Sequence, residues 1–339
     1  MAPELMLAGI LMAALVIYAL GGGADFGGGV WDLLASGPRA ASQRQTIERA
    51  IGPIWEANHV WLILVIVILF VAFPPAFAAL GTALHIPLAL MLIGIVLRGS
   101  AFAFRSYGAA SDLETRRWGR VFAVASLVTP LTLGLSVGAV ASGRLRIPNG
   151  RVVTDFVSEW LVPFPFALGA FTLSLFAFLA ASYLTLETAD RALQDDFRLR
   201  ALGSGALTGL LAFLCLGLAR QGAPLVFEGL TRRVWSWPFQ IATGLTALGA
   251  LVALAKRHFA WARTLAIAQT TLILLGWGLA QFPFLIPPDL TFAMAAAPRQ
   301  VLMPVLLTLG LGTLILAPSL LYLFRVFKGR PIPSPGTQL

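Results

Sequence analysis

The amino-acid sequence predicts an all-α integral membrane protein that crosses the bilayer about nine times. Apolar residues make up 58% of the 339 residues, charged residues make up only 12%, and the mean hydropathy is +0.85, unlike a soluble domain. Apolar runs close to the roughly 20 residues that a transmembrane helix needs recur along the whole chain. Most basic residues lie in the short segments between these runs, as is typical of membrane proteins.

The apolar runs predict a single polytopic membrane domain over residues 1–325. Its helices are predicted at about residues 5–33, 54–73, 77–102, 118–141, 160–186, 201–219, 237–255, 262–281 and 301–325. The second and third helices are separated only by Pro74 and Pro75, which lack backbone donors and favour a turn. The remaining residues, 326–339, are rich in proline and are predicted to form a short cytoplasmic tail.

The distribution of basic residues predicts the orientation of the helices. No Lys or Arg precedes Arg39, whereas a signal peptide needs a basic start, so the first helix is expected to remain in the mature protein. With the N-terminus outside, 17 of the 24 basic residues fall in cytoplasmic segments, as the positive-inside rule requires. We therefore predict that the N-terminus is outside and the C-terminus is cytoplasmic.

Three of the charged residues within predicted helices stand out, because an ionised side chain there costs at least about 2.5–3.5 kcal/mol. Asp25 lies late in the first helix, Glu56 early in the second and Arg98 late in the third, so the predicted orientation places all three towards the cytoplasm. An arginine at this depth can keep one carboxylate ionised while burial favours protonation of the other. Two explanations remain open: a route for protons or ions, and a buried ion pair that only fixes helix register.

The neighbours of Glu56 add three candidate supporting residues. Asn58 is a polar neighbour, and helical spacing places Trp55, Glu56 and His59 on one side of a helix. A titratable histidine beside an acid suits proton relay. The alternative is a tryptophan at the membrane interface with polar residues in the headgroup layer.

Six glycines surround Asp25 in the segment GGGADFGGG at residues 21–29. In a membrane helix, such a run indicates close approach of another helix or an irregular backbone sheltered by protein. Packing is the simpler explanation.

The ligand types available for a metal or haem are few. The chain has three histidines and one cysteine, so neither a His/Cys/Asp metal site nor a thiolate site is predicted. Two axial ligands of a haem must lie at one depth, but His59 and His85 belong to opposite ends of their predicted helices. A His/Met pair using Met12 or Met91 is the remaining alternative, and no cofactor site is predicted in this chain.

Four segments resemble subunit II of the cytochrome bd quinol oxidases, including the cyanide-insensitive branch. They are GADFGGGVWDLL (23–34), AIGPIWEANHVWLI (50–63), FRSYG (104–108) and GWGLAQFPFLIPPDLT (276–291). The length and helix pattern also agree, so the resemblance covers essentially the whole chain. It implies a fold of two four-helix bundles plus one peripheral helix.

The resemblance implies a multi-pass subunit of a bacterial inner-membrane respiratory oxidase that oxidises quinol and reduces oxygen to water. In this family the two haems b and the haem d belong to subunit I, which is the expected partner. Subunit II is expected to support assembly of that subunit and to supply part of an electrogenic proton-uptake path from the cytoplasm. A small accessory single-helix subunit, membrane lipid and quinone are further candidate partners.

The family's polar positions match individual residues of this chain. The acid of its G-x-D-x-G segment matches Asp25, and the acid after Trp in its W-[DE]-x-N-x-V-W segment matches Glu56, with Asn58 beside it. Arg98 in LRGSAFAFR is a looser match, and His59 is not general to the family. Two alternatives remain: a proton-coupled secondary transporter, which such helices and carboxylates also suit, and a purely structural partner subunit.

Overall fold

The computed structural model describes residues 2–52, 55–107 and 112–328, and these residues are almost entirely helical. The helices are α1 (Pro3–Leu33), α2 (Ala40–Ile51), α3 (Trp55–Ala72), α4 (Pro74–Ala83), α5 (His85–Tyr107), α6 (Asp112–Ala141), α7 (Pro163–Leu184), α8 (Arg191–Gly222), α9 (Pro224–Thr231), α10 (Ser236–Ala255), α11 (Phe259–Gln281), α12 (Phe292–Ala295) and α13 (Arg299–Lys328). A 3₁₀ turn lies at Pro148–Gly150, and strands β1 (Phe284–Ile286) and β2 (Leu290–Thr291) pair antiparallel before α12.

The membrane-protein fold predicted from the sequence is confirmed. Within the described ranges, eight helices are long and apolar enough to span a bilayer, and there are nine candidate spans if α2 and α3, bent by 53°, are taken together. The first bundle consists of α1, α3, α5 and α6, and the second consists of α7, α8, α10 and α11. The peripheral helix α13 contacts α1 and α3 but is largely exposed.

Several helix boundaries differ from the predicted ones for local reasons. The predicted span 77–102 is divided at Leu84 into α4 and α5. Helix α8 begins ten residues before its apolar run, because the Asp190 carboxylate caps it by accepting a hydrogen bond from the Ala192 amide at 2.8 Å. Helix α13 continues to Lys328, and the rest of the predicted tail lies outside the described residues.

Three short helices, α2, α9 and α12, were not predicted. Helix α2 is polar on one side and buries Ile47 and Ile51 on the other. Its 12 residues are too few to span a bilayer, so no apolar run of membrane-spanning length marks it in the sequence. Helix α9 follows α8 directly after Ala223.

The two bundles meet where α1 packs between α6 and α7. Rings of Phe26, Phe122 and Phe176 fill this core, and the Trp31 indole donates a hydrogen bond to the Ala177 carbonyl at 2.7 Å. A Cβ atom placed on Gly27 would overlap the backbone of Phe176. The glycine run is therefore regular helix that allows close packing, as the simpler explanation predicted.

The loops at the end of the bundle predicted to lie outside are joined by an ion pair. Arg146 donates through Nε and Nη2 to the two carboxylate oxygens of Asp289, both at 2.9 Å, and the Ile147 amide donates to Asp289 Oδ2 at 2.7 Å. The hydrogen bond from Arg146 lowers the pKa of Asp289, burial opposes this shift, and the Ile147 amide adds to it.

We predict that Gly27→Ala destabilises the protein by about 1–3 kcal/mol, because the added methyl group forces α1 away from α7. Thermal unfolding in detergent measures the effect. Gly9→Ala is the matched control, since no atom lies within 4 Å of a Cβ at Gly9. Equal melting temperatures for the two variants would show that the α1–α7 contact tolerates a side chain at Gly27.

We predict that Asp289→Asn lowers the melting temperature slightly at pH 7 but not in acid. The folded-state pKa of Asp289 is depressed, so the stability gained from the carboxylate is complete above its unfolded value of about 3.9 and is lost as the pH falls through the lower folded value. Comparing the melting temperatures of wild type and variant from pH 7 to pH 3 measures this. A difference that does not shrink at all between pH 7 and pH 3 would contradict the prediction.

Candidate functional site

The first candidate site is a buried polar cluster formed by Asp25 on α1, Asn58 on α3 and Arg98 on α5. Asn58 Nδ2 donates a hydrogen bond to Asp25 Oδ2 at 2.6 Å, and Arg98 Nη2 donates to the backbone carbonyl of Asp25 at 3.0 Å. Asp25 is 4% exposed and Arg98 is 2% exposed. We call these three residues the inner cluster.

Aromatic rings surround the guanidinium group of Arg98. Its Cζ atom lies 4.9 Å from the ring centroid of Phe26 and 5.2 Å from that of Phe122. Contacts of this type with a desolvated guanidinium are each worth about 0.5–2 kcal/mol. The Nε atom of Arg98 is buried and has no hydrogen-bond partner within the described part of the chain. The inner cluster therefore holds a charge in a largely apolar setting.

The glycines of α1 allow the helix to carry this cluster. A Cβ atom at Gly21 would overlap the side chain of Asn58, and one at Gly29 would overlap Ser126 on α6. The absence of side chains at these two positions lets Asn58 reach Asp25 and lets α6 approach α1. The sequence pattern around Asp25 thus has a direct role in the geometry of the site.

Glu56, which the sequence analysis grouped with Asp25 and Arg98, lies apart from them. Its side chain is exposed on the first turn of α3, and among the described residues no hydrogen bond or ion pair joins it to either partner. The reason is geometric: residues two apart on an α-helix point roughly 160° apart, so directing Asn58 inward turns Glu56 outward.

The two other supporting residues have different positions. His59 is half-buried, and its ring centroid lies 6.1 Å from that of Tyr18 and 6.0 Å from that of Phe26. It borders the inner cluster but does not share the exposed side of Glu56. The side chain of Trp55 lies outside the described residues.

A second charged cluster, which the sequence analysis did not identify, lies further along the same helices. Arg105 on α5 donates from Nη1 and Nη2 to the two carboxylate oxygens of Asp32 on α1, at 3.0 and 3.1 Å. Glu48 on α2 lies 3.7 Å from the same guanidinium. We call these three residues the outer cluster. The seven-residue spacing of Asp25 and Asp32, repeated by Arg98 and Arg105, was the signal that could have revealed it.

The three histidines lie in different parts of the fold. His59 lies near the start of α3, His85 begins α5 beyond the intervening helix α4, and His258 lies in the turn between α10 and α11. The Nδ1 atom of His85 lies 3.0 Å from the Thr82 carbonyl, within hydrogen-bonding distance. Within the described residues, no three His, Cys, Asp or Glu side chains are grouped to hold a metal ion.

Comparison with known proteins identifies the family to which this arrangement belongs. Residues 3–327 match the family model for cytochrome bd terminal oxidase subunit II. The chain belongs to this family. It is 23% identical to the putative cytochrome bd menaquinol oxidase subunit II of Bacillus subtilis, covering 94% of this chain and 93% of the relative. It is 25% identical to the cytochrome bd-I ubiquinol oxidase subunit 2 of Escherichia coli K12, covering 83% of this chain and 80% of the relative.

The fold of this subunit II also matches a solved structure. The bd oxidase from Geobacillus thermodenitrificans contains a chain that aligns with a TM-score of 0.77 at 24% identity, covering 96% of this chain and 99% of that one. Family and fold together identify a multi-span subunit of a bacterial inner-membrane quinol oxidase of the respiratory chain. They favour the oxidase over the transporter alternative, and they imply a partner subunit I and haems in the complex.

We predict that Arg98→Met destabilises the subunit by about 3–5 kcal/mol, because it leaves the Asp25 carboxylate buried without its cationic neighbour. Combining Arg98→Met with Asp25→Asn should cost less than the two single changes added together. Thermal unfolding of the four proteins, analysed as a double-mutant cycle, measures this coupling. Additive effects would show that Asp25 and Arg98 do not interact.

Proposed function

We propose that this subunit supports assembly of a haem-bearing subunit I and carries protons towards it from the cytoplasm. The family implies haems in the complex, and we assign them to subunit I, as the sequence resemblance implies. The electron donor is a quinol, either ubiquinol or menaquinol, as the names of the relatives indicate. Turnover is expected to be electrogenic, because protons taken up from the cytoplasm enter the membrane to form water.

The observation that carries the proposal is the buried carboxylate of Asp25, 4% exposed and bound by Asn58 within a bilayer-spanning helix. A carboxylate at this depth is costly unless it has a task or full compensation. Arg98 donates to the backbone carbonyl of Asp25 and supplies a nearby positive charge. The Asp25 carboxylate can then gain and lose a proton, because the positive charge of Arg98 stays in place whether Asp25 is protonated or ionised.

Glu56 extends this proposal to the surface of the subunit. It begins an exposed stripe on α3 that continues with Val60, Ile63, Val67 and Phe70, all at helical spacings of three or four residues. A carboxylate at the head of an apolar stripe fits an interface with another protein better than it fits lipid. We therefore place subunit I against this stripe, with Glu56 passing protons across the interface.

The outer faces of other helices are available for further contacts. Leu307, Leu314 and Ile315 are exposed on α13, and this helix has few contacts with the rest of the chain. A face of this kind suits a small accessory single-helix subunit, membrane lipid or quinone. These contacts are separate from the proposed proton route.

We predict that Asp25→Asn and Glu56→Gln each reduce quinol oxidase turnover at least about tenfold while the haem spectrum is retained, because each removes one proton-exchanging group without changing its size. The measurement uses the two-subunit complex in proteoliposomes, with absorption spectra and oxygen consumption. Glu228→Gln is the control, since Glu228 pairs with Arg232 on the opposite, exposed surface. Full turnover in both variants would exclude the proton route. Loss of the haems would instead support a purely structural role.

A further inference from the structure

Helices α8 and α10 of the second bundle touch at one level and then separate. They run in opposite directions, because Arg257, just after the end of α10, donates to Asp195 near the start of α8 at 2.8 Å. A Cβ atom placed on Gly205 of α8 would lie 2.8 Å from the side chain of Leu251 on α10. The two helices are therefore in close contact at Gly205 and Leu251.

An open cleft lies beyond this contact, towards the end predicted to lie outside. Gly209 follows Gly205 by about one helical turn, and Gly244 precedes Leu251 by about two turns. Both glycines lie within about 40° of the direction in which the two helices face each other. No atom lies within 4 Å of a Cβ atom at either glycine, so the helices leave space between them at this depth.

Exposed apolar side chains line both helices on one side of the cleft. With about 100° of rotation per residue, the antiparallel pair directs the same set of side chains to that side: Leu199, Leu210 and Phe213 of α8, and Ile241, Leu245, Leu248 and Val252 of α10. The exposed fraction reaches 77% at Phe213 and 65% at Leu245. The pair thus presents one continuous apolar surface, which suits acyl chains.

This surface ends at basic side chains at the end predicted to be cytoplasmic. The Asp195 carboxylate accepts from Arg198 Nε at 3.1 Å and from Arg257 Nη2 at 2.8 Å. Arg198 Nη1 also donates to the Ala255 carbonyl at 3.4 Å, which joins α8 to the last turn of α10. A single carboxylate is shared by two guanidinium groups, so this group of side chains keeps a net positive charge.

Lys256 adds a second positive charge at the same end of the cleft. It follows Val252 by four residues and therefore continues the apolar side of α10. It is exposed and forms no ion pair with any of the described residues. The sequence has no Asp or Glu between Glu228 and Asp289, so the segment around Lys256 supplies no acid of its own. Trp261, on the first turn of α11, is 67% exposed, as is typical at a membrane interface.

We propose that α8 and α10 bind an anionic phospholipid, with its phosphate on Lys256 and Arg257 and its acyl chains along the cleft. Guanidinium and ammonium groups bind phosphate oxygens through charge-assisted hydrogen bonds, and basic side chains at the cytoplasmic surface attract anionic lipids. A zwitterionic lipid fits less well, because its own cation would approach the same bases. The site lies on the second bundle, away from the α3 stripe, and is independent of the proposed proton route.

The test measures lipid binding to the two-subunit complex by native mass spectrometry. The delipidated complex is titrated with dioleoyl phosphatidylglycerol and, separately, with dioleoyl phosphatidylcholine. We expect Lys256→Gln to raise about fivefold the phosphatidylglycerol concentration that half-fills this site, because one base near an anionic headgroup contributes about 1 kcal/mol and tenfold in affinity is 1.4 kcal/mol. Binding of phosphatidylcholine should not change. Subunit I is the same in every variant, so the differences report on this chain.

Arg233→Gln is the matched control for charge. Arg233 is exposed just before the other end of α10, so the variant loses the same charge from the same helix at the opposite membrane surface. Its lipid binding should equal that of the wild type. Equal losses in Lys256→Gln and Arg233→Gln would overturn the site, since general attraction to a basic protein would then explain both. Unchanged phosphatidylglycerol binding in Lys256→Gln would also overturn it.

Gly244→Leu tests the cleft without altering any charge. The added side chain enters open space, so the variant should fold, but it should lower the affinity for phosphatidylglycerol by blocking the acyl chains. Gly310→Leu is its control, because Gly310 on α13 has equally open surroundings. Equal binding in these two variants would show that the acyl chains do not occupy the cleft.

Two further outcomes distinguish other occupants from a lipid. Glycerol 3-phosphate, which carries the headgroup charge without acyl chains, should not displace phosphatidylglycerol at equal concentration. Displacement would show that the bases bind free phosphate, and the lipid site would be wrong. The lipid site would also be wrong if an additional polypeptide, released by Gly244→Leu, occupied the cleft of the purified complex.

Discussion

The burial of the Arg98 guanidinium is the constraint on which the centre of this subunit depends. A charge that is 2% exposed among apolar helices is tolerated only when other groups of the protein compensate it. Here the compensation comes from two directions, a hydrogen bond to the α1 backbone and the faces of Phe26 and Phe122. Helix α1 must therefore approach α6 closely at this level, while the long Arg98 side chain reaches α1 from α5.

The glycine run of α1 makes this approach geometrically possible. Successive glycines face different neighbours: Gly21 faces Asn58, Gly27 faces the α7 backbone and Gly29 faces α6. With side chains at these positions, α1 could not lie at the junction of the two bundles while also presenting Asp25 to α3 and α5. The same short segment thus determines both the packing of the bundles and the position of the buried acid.

Sequence reasoning predicted the membrane spans well because the cost of exposing polar groups to lipid acts on every residue of a span. It identified Asp25 and Arg98 for the same reason. It did not predict that Glu56 lies apart from them, because hydropathy carries no information on the rotation of α3 about its axis. It also missed Asp32, Arg105 and Glu48, which lie near helix ends, where charged residues are common.

Helix α2 contacts both bundles at the end of the molecule that is predicted to be cytoplasmic. Its Gln43 donates to Asp196 on α8 at 2.8 Å and accepts from Arg200 at 2.7 Å, while Glu48, roughly one and a half turns further along, faces Arg105 of the first bundle. Arg200 in turn lies 5.5 Å from the ring of Trp31, the residue that links α1 to α7. A displacement of α2 would therefore break its hydrogen bonds to α8 and open the outer cluster together, while α1 and α6 keep the main contact with α7. Because one short helix carries both, these hydrogen bonds and the geometry at Glu48 are physically coupled.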